Sequence, residues 1–419
     1  MIQFKATPFG GLYVLDEFLH KLQFDHVFNQ VFGKYRKVRN QRPVENIKLM
    51  VASIVVGGER LYDVEQFRQD PVIPNLLGLR NVPQDTTLRD DFYHLGQRDI
   101  ERQELLFRLN EIHFQKRKIK AITIDVDGSS LPVDGHQEGA EKGYCPEEPG
   151  SRCFQTLAAI CDQTETVLAE RTYPGNTKWS SDDTIEFCKP MLDRFSPQMD
   201  RITIRMDAGF FSDASLKFFE SYGNVIYLLD KPIHDGFREI IAQLSYKRYY
   251  ESDREYASFE CQDGLNGKTR YYYVERSKTK PGTQTHLFES NDYFYRVLVS
   301  NEKRQPHVMF RLYNKRGRME KHIEELKNQY AMGKMLSGHF LLTQVFIWLS
   351  YLTFTILGML RHTAFRQDMV RYRLRRLRYI LFTAIAAFST HARIRILNLS
   401  LPRVTPWKFK WIMQRVWAY

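Results

Sequence analysis

Cysteine is scarce in this chain. Five occur in 419 residues, at Cys145, Cys153, Cys161, Cys188 and Cys261, and no two form a C-x-x-C pair. An odd, scattered set excludes a disulfide framework and a zinc ribbon, and it fits a reducing cytoplasm. No internal repeat and no long low-complexity tract occurs. The N-terminal stretch MIQFKATPFGG lacks a basic segment followed by an apolar one, so a secretory signal is not expected. Long apolar runs are nearly absent as well. One, GHFLLTQVFIWLSYLTFTILGML at 338–360, has the length of a membrane span. It carries His339, Thr343, Gln344, Ser350, Thr353 and Thr355, and YILFTAIAAFS (379–389) is too short to be a second span. The run is read as a buried helix of a large core, with a membrane span as the alternative.

What is present is ordinary globular composition with a basic excess. Hydrophobic residues are 43% and charged residues 26%, which excludes a disordered or coiled-coil chain. The length allows two or three domains. Lys+Arg number 61 against Asp+Glu 49, for a net charge of +12 and a pI near 9.3. Such an excess favours an anionic partner, nucleic acid or a lipid surface. Aromatics reach 14% and serve either as core or as stacking platforms for bases.

The first hundred residues read as helical. VENIKLMVASIVVGG (44–58) has a helical apolar period, RLYDVEQFRQD reads as a second helix, and Asp85/Thr86 as the N-cap of a third. This is a helix-turn-helix bundle or a plain helical cap. The middle alternates. KAITIDVDGSS (120–130), CFQTLAAICD (153–162) and TVLAERTYPGN (166–176) read as strands, SDDTIEFCKPMLDRF (181–195) as a helix capped by Ser181. RITIRMD (201–207) is a strand, SDASLKFFESYG (212–223) a helix and NVIYLLDK (224–231) a strand. The order β-β-β-α-β-α-β predicts a mixed-sheet α/β domain. Residues 246–300 read as β-rich, 306–335 as helical, and the tail after 361 as basic, with RYRLRRLR at 371–378.

Three acidic positions stand out. In IDVDGS, the period of two puts Asp125 and Asp127 on one strand face, where unsatisfied carboxylates are costly unless a cation meets them. Asp207 in IRMDAGFFS ends a strand, at the edge where α/β sheets collect their sites. In YNKRGRMEKHIEELK (313–327), Tyr313, Arg316, Glu320 and Lys327 fall within about 60° of one another at ~100° per residue. One acid, two bases and a phenol on one face suit a metal ligand among phosphate contacts; a solvated charged stripe is the plainer reading. Two strand aspartates and one helix glutamate make a hard-cation site of the Mg²⁺ kind, with Mn²⁺ as substitute. Such a site supports in-line phosphoryl transfer.

At these residues the chain resembles the DDE transposases of the IS4-like superfamily, most closely the IS1380 family of bacterial insertion sequences. The resemblance rests on IDVDGS, on RMDAGF and on the Y-x2-R-x3-E-x6-K pattern. GERLYDVEQFRQDPVIPNLLGL (58–79), VDGHQEGAEKGY (133–144) and YPGNT (173–177) support it. It covers residues 40 to 400. It implies an RNase H-like mixed-sheet catalytic core interrupted by a β-rich insertion, with helical N- and C-terminal regions. The division would be 1–115 (helical, DNA-binding), 116–232 (core, first part), 233–305 (insertion), 306–335 (last core helix) and 336–419 (C-terminal helical region).

The resemblance further implies a catalytic, metal-holding triad of Asp127, Asp207 and Glu320, with Asp125 as runner-up for the first position. Tyr313, Arg316 and Lys327 would hold phosphates. The reaction would be strand cleavage by water, then attack of the freed 3′-hydroxyl on target DNA. The partners would be terminal inverted repeats and target duplex, engaged by a homodimer in the bacterial cytoplasm at the nucleoid, without a membrane. His136, Gln137 and Asn176 are turn residues first, with a DNA role as the alternative. One departure concerns tryptophan. Related enzymes can stack a flipped base on a Trp of the insertion, but Trp179, Trp348, Trp407, Trp411 and Trp417 all lie outside 233–305. A Tyr or Phe would have to stack there instead. The competing functions are a catalytically inactive sequence-specific DNA-binding protein, an RNase H-like nuclease without strand transfer, and a membrane-associated protein.

Overall fold

Among the described residues, apolar alternation, capping residues and glycine breaks mark out the twelve helices and ten strands named below. The computed structural model describes residues 6–33, 42–249, 253–262, 267–278, 293–334, 336–391 and 394–419. In chain order the elements are α1 (Leu12–Lys21), α2 (Phe24–Phe32), α3 (Pro43–Val56), α4 (Asp85–Gly96), α5 (Asp99–Arg117), β1 (Ala121–Val133), β2 (Arg152–Cys161) and β3 (Thr166–Pro174). There follow α6 (Ser181–Phe195), β4 (Arg201–Met206), α7 (Asp213–Glu220), β5 (Val225–Asp230), α8 (Asp235–Ala242), β6 (Arg254–Gln262), β7 (Thr269–Lys278) and β8 (Tyr293–Ser300). The last are α9 (Pro306–Tyr313), α10 (Gly317–Gln329), α11 (Phe340–Ala364), β9 (Ile385–His391), β10 (Ile394–Ser400) and α12 (Pro406–Ala418). They form two units. One comprises residues 1–119, 128–177 and 321–419; the other comprises 120–127 and 178–320.

The first unit is built on α11. Its residues from Val345 to Arg361 are buried on every face, which is why the run is apolar without a helical stripe. Its polar side chains have assigned partners in the β2–β3 hairpin. Gln344 Nε2 donates to the Thr172 carbonyl at 3.1 Å, and Tyr351 Oη donates to Thr156 Oγ1 at 3.3 Å. Thr355 Oγ1 accepts from the Val167 amide at 3.0 Å. That amide lies beside an irregularity in the β2–β3 pairing at Ala159/Ile160, where the ladder leaves groups to be satisfied otherwise. Ser350 and Thr353 donate back to Phe346 and Leu349 carbonyls. The only helix of the described residues with the length and composition of a membrane span is therefore a core helix here, with 83% of its most apolar window buried.

Two local expectations change in this unit. RLYDVEQFRQD forms a 3₁₀ turn (Leu61–Val64) and one α-turn (Glu65–Arg68), not a full helix. Asp63 Oδ2 accepts the amides of Glu59 and Arg60, which favours the turn. The C-terminal region is not wholly helical. Ile385–His391 and Ile394–Ser400 pair as an antiparallel hairpin, with Ala6–Thr7 on its outer edge. The alternation in IRILNLS is the period-two signal that a helical reading of the tail overlooks.

The second unit is a mixed sheet with helices. The first half of β1 pairs in parallel with β4, from Ala121↔Arg201 to Asp125↔Arg205. β4 pairs in parallel with β5, from Ile202↔Val225 to Met206↔Leu229. β8 then runs antiparallel to β5, and β7 and β6 continue outward. The β-rich 246–300 stretch thus extends this sheet through β8. Helix α6 is capped by Ser180, whose hydroxyl accepts the Asp183 amide while Asp183 caps back, one residue earlier than the cap the sequence suggests. Helix α9 packs Met309, Phe310 and Tyr313 against Leu228, Tyr273 and Leu298. That contact fixes the start of the Tyr313–Glu320 segment relative to the strand ends.

Candidate active site

The parallel strands of the second unit end together. Ile122, Ile124 and Val126 point into the core and are at most 2% exposed, so the alternate residues Asp125 and Asp127 share the other face. Register does the rest. Asp127 and Asp207 each lie two residues past the paired Asp125 and Arg205, and Asp207 and Asp230 each follow the paired Met206 and Leu229. Neighbouring strands stand ~4.8 Å apart, so three aspartates form a row across three strand ends. Asp207 also caps the 3₁₀ turn Ala208–Phe210, its Oδ1 accepting the Gly209 amide at 2.9 Å. Its second oxygen, Oδ2, lies toward Arg316.

Arg316 joins two members of the row. Its Nη2 lies 2.9 Å from Asp127 Oδ1 and 3.8 Å from Asp207 Oδ2. The guanidinium is nearly buried and also donates to the Val126 carbonyl at 3.4 Å. Its Nε meets no hydrogen-bond partner among the described residues. Burial alone would lower its pKa, but the charges of Asp127 and Asp207 and the Tyr313 phenol together hold it above the ordinary value. Arg316 therefore stays charged and stands as a cation between two carboxylates.

Tyr313 and Arg316 are brought into line by a change of helix type. The segment is not one continuous α-helix. Asn314–Arg316 is a 3₁₀ turn between α9 and α10, and in that geometry residues i and i+3 eclipse. Both side chains are buried, whereas Glu320, in the first turn of α10, is exposed. The single shared face of an ideal wheel is thus split by burial. Tyr313 Oη donates to the Met206 carbonyl at 3.1 Å, next to Asp207. Burial, then the Asp230 charge, raises its pKa well above the ordinary phenol. Glu320 has no ion pair or hydrogen bond among the described residues.

Asp125 is buried and both its oxygens accept from Arg205. Lys327 lies in the first unit, where its ammonium donates to the Ser130 carbonyl at 2.8 Å and meets Glu147 at 2.5 Å. His136 and Asn176 are exposed in turns of that unit, with Gln137 half-buried. Asp230 was missed by the sequence reading. Burial raises its pKa, opposed by Arg296, whose Nη2 is 3.9 Å away, and reinforced by Asp207. Its signal was available: an Asp closing the strand NVIYLLD, as Asp207 closes RITIRM.

Among the described residues no three His, Cys, Asp or Glu side chains lie close enough to cage an ion. Two carboxylates already converging on one cationic nitrogen do fit a divalent ion that keeps waters and takes further oxygens from a substrate. A separate feature of this unit is a cavity of about 440 Å³ lined by Tyr249, Tyr256, His307 and Phe310 with Arg254, Arg311 and Lys315.

Paired carboxylates at parallel strand ends, bridged by a buried arginine from the 3₁₀ turn between α9 and α10, fit a phosphoryl-transfer class of site. A family model described as "Transposase DDE domain group 1" matches residues 5–416. The chain belongs to that family: it is a DDE transposase, a metal-dependent enzyme of DNA transposition. No curated protein matches it. Among solved structures it is similar to the piggyBac transposase in a cryo-EM synaptic complex with hairpin DNA. Identity is 13%, coverage 91% of this chain and 82% of that one, and the TM-score 0.47.

Proposed function

We propose that the chain cleaves the ends of a bacterial insertion sequence and joins them to target DNA, using Asp127, Asp207 and Glu320 as its acids. The convergence of Asp127 and Asp207 on Arg316 carries this reading. Asp127 is preferred over Asp125 as the first acid, because both Asp125 oxygens are taken by Arg205. Asp127 and Asp207 would hold the divalent ion, Mg²⁺ by its preference for carboxylate oxygen. Glu320, exposed and without a partner among the described residues, would complete the set. When bound, the ion polarises the scissile phosphate and lowers the pKa of an attacking water. Arg316 keeps a positive charge beside the developing phosphorane, and Tyr313 holds the strand end carrying Asp207. Water attacks the phosphorus, the 3′-oxygen leaves and takes a proton, and that 3′-hydroxyl then attacks a target phosphate with loss of its own proton. Lys327 would contact phosphate after releasing Glu147.

The closer assignment, to the IS1380 family with an RNase H-like core, rests on the Y-x2-R-x3-E-x6-K pattern and on the parallel β1–β4–β5 order. Helical residues 1–115 would help bind the inverted repeats, and a homodimer would hold two ends. The Tyr249–Tyr256–Phe310 cavity is the place where an unpaired base could stack, in place of the absent tryptophan. The deciding experiment uses supercoiled DNA carrying the element's own ends, in Mg²⁺, with wild type and Glu320→Gln. Cutting and joining by wild type, with binding alone by the variant, supports the proposal. Equal cutting by both removes Glu320 from the site. Cutting without joining by wild type favours a nuclease.

A further inference from the structure

The net positive charge of this chain is confined to one stretch. Residues 361–419 contain 13 Lys and Arg and a single acid, Asp368, and so account for the whole +12. Residues 1–115 hold 15 basic and 15 acidic residues and are neutral; residues 116–360 balance 33 against 33. A segment of that charge density repels itself across distances shorter than the ~8–10 Å Debye length. Close approach of an anionic polymer relieves that repulsion and releases counterions.

The structure divides these cations by use. Arg361 pairs with Glu165 at 3.0 Å, Arg373 with Glu324 at 3.4 Å, and Arg378 donates to the carbonyls of Ile54, Val55 and Gln329. Lys408 and Arg366 share Asp368. These hold the fold. Arg371, Arg375 and Arg376 differ. They are exposed, without an acidic partner among the described residues, while Leu374 and Leu377, of the turn that carries Arg375 and Arg376, are buried and anchor it. Exposed aromatics lie among the cations. Tyr379, 53% exposed, has Arg403 at 4.0 Å and Arg376 at 5.7 Å from its ring centroid. Trp407, 52% exposed, has Arg366 at 4.8 Å. Rings flanked by guanidinium groups present apolar area and charge together, the composition of a nucleic-acid contact.

We infer that the main DNA-backbone docking surface of this transposase is the 361–419 region, centred on Arg371, Arg375 and Arg376, rather than the helical N-terminal region. The inference rests on the DNA-transposase reading. Backbone contact is favoured over base readout because Arg375 and Arg376 sit on one short turn, Leu374–Leu377, too short to lay a recognition helix along a groove, with Arg371 three residues before it.

The test measures binding of the full chain to a 40-bp duplex over a series of salt concentrations. Wild type is compared with R371Q/R375Q/R376Q and with the matching triple lysine variant. The glutamine triple should weaken binding ~10- to 100-fold at low salt and flatten the log–log salt slope by ~1–3, at ~0.9 per lost phosphate contact. The lysine triple should restore most of the slope. A wild type that binds duplex with a slope unchanged in the glutamine triple sinks the placement alone. A wild type that fails to bind duplex at low salt sinks the DNA reading together with it. Triple-sensitive binding to phosphatidylserine vesicles without duplex binding would assign the surface to lipid and also overturn the proposal.

Discussion

Arg205 grips Asp125 with two parallel hydrogen bonds, Nε to Oδ1 at 2.6 Å and Nη2 to Oδ2 at 2.7 Å, inside the sheet of the second unit. Its third nitrogen donates to the Leu312 carbonyl at 2.7 Å. The pair ties β1 and β4 to the end of α9, one residue before Tyr313. Two aspartates spaced by one residue thus have different surroundings, one neutralised within the sheet and one facing the Arg316 guanidinium at the strand end.

That difference predicts opposite phenotypes. Asp125→Asn leaves the Arg205 charge buried without its counter-ion and should destabilise the protein by about 3–5 kcal/mol. Asp127→Asn should change stability by about 1 kcal/mol or less while abolishing strand cleavage. Urea unfolding and cleavage assays on both variants check this. Loss of cleavage with full stability in Asp125→Asn would move the first catalytic acid to that position.

Arg316 and a divalent ion both answer the charge of Asp127 and Asp207. In Arg316→Gln the two carboxylates face each other without a cation. The variant should melt below wild type in chelator, and Mg²⁺ should raise its melting temperature by more than it raises that of wild type. Thermal unfolding across a Mg²⁺ titration reads this directly. Equal Mg²⁺ shifts would show that the ion binds elsewhere.

Glu170 offers a pH test in the first unit. It is buried on β3, and its Oε2 has no hydrogen-bond partner among the described residues. Burial, only partly offset by Arg102, pushes its pKa up from 4.5 to about 8. The folded protein keeps this proton after the unfolded chain has lost it. Its stabilising contribution is therefore full below pH 4.5 and declines between 4.5 and 8, by up to ~1.4 kcal/mol per pH unit. Glu170→Gln should match wild type near pH 4.5 and exceed it in stability near pH 8. Parallel stability curves for the two proteins over that range would refute the assignment.

Gly358 tests α11 as a core helix. A Cβ there would fall 2.2 Å from the Glu165 carbonyl oxygen and 2.9 Å from that of Thr164. Backbone cannot yield as a side-chain tip can, so Gly358→Ala should destabilise by roughly 1–3 kcal/mol despite alanine's better helix propensity. Chemical unfolding measures this. A neutral or stabilised variant would mean that α11 does not pack on the Thr164–Glu165 turn.

Much of the site was legible because its residues obey short-range rules. The period of two placed Asp125 and Asp127 on one face, and the strand-to-turn change marked Asp207. The order β-β-β-α-β-α-β followed from alternation and caps. The C-terminal hairpin was not legible, because IAAFST and IRILNLS lie in a tail whose arginines suggest helix as readily as strand. Asp230 was overlooked because an acid at the end of one strand means little until a neighbouring strand ends beside it.

The sequence by itself determined most of the elements, the family pattern and the confinement of net charge to residues 361–419, since these depend on composition and on contacts within a few residues. Only the tertiary structure decided which carboxylates are free to act. Asp125 and Asp127 are chemically identical and two residues apart, and their roles separate because β4 brings Arg205 to one and the 3₁₀ turn after α9 brings Arg316 to the other. That assignment depends on strand register and helix packing across 80 and 190 residues of chain, distances over which local propensity carries no information.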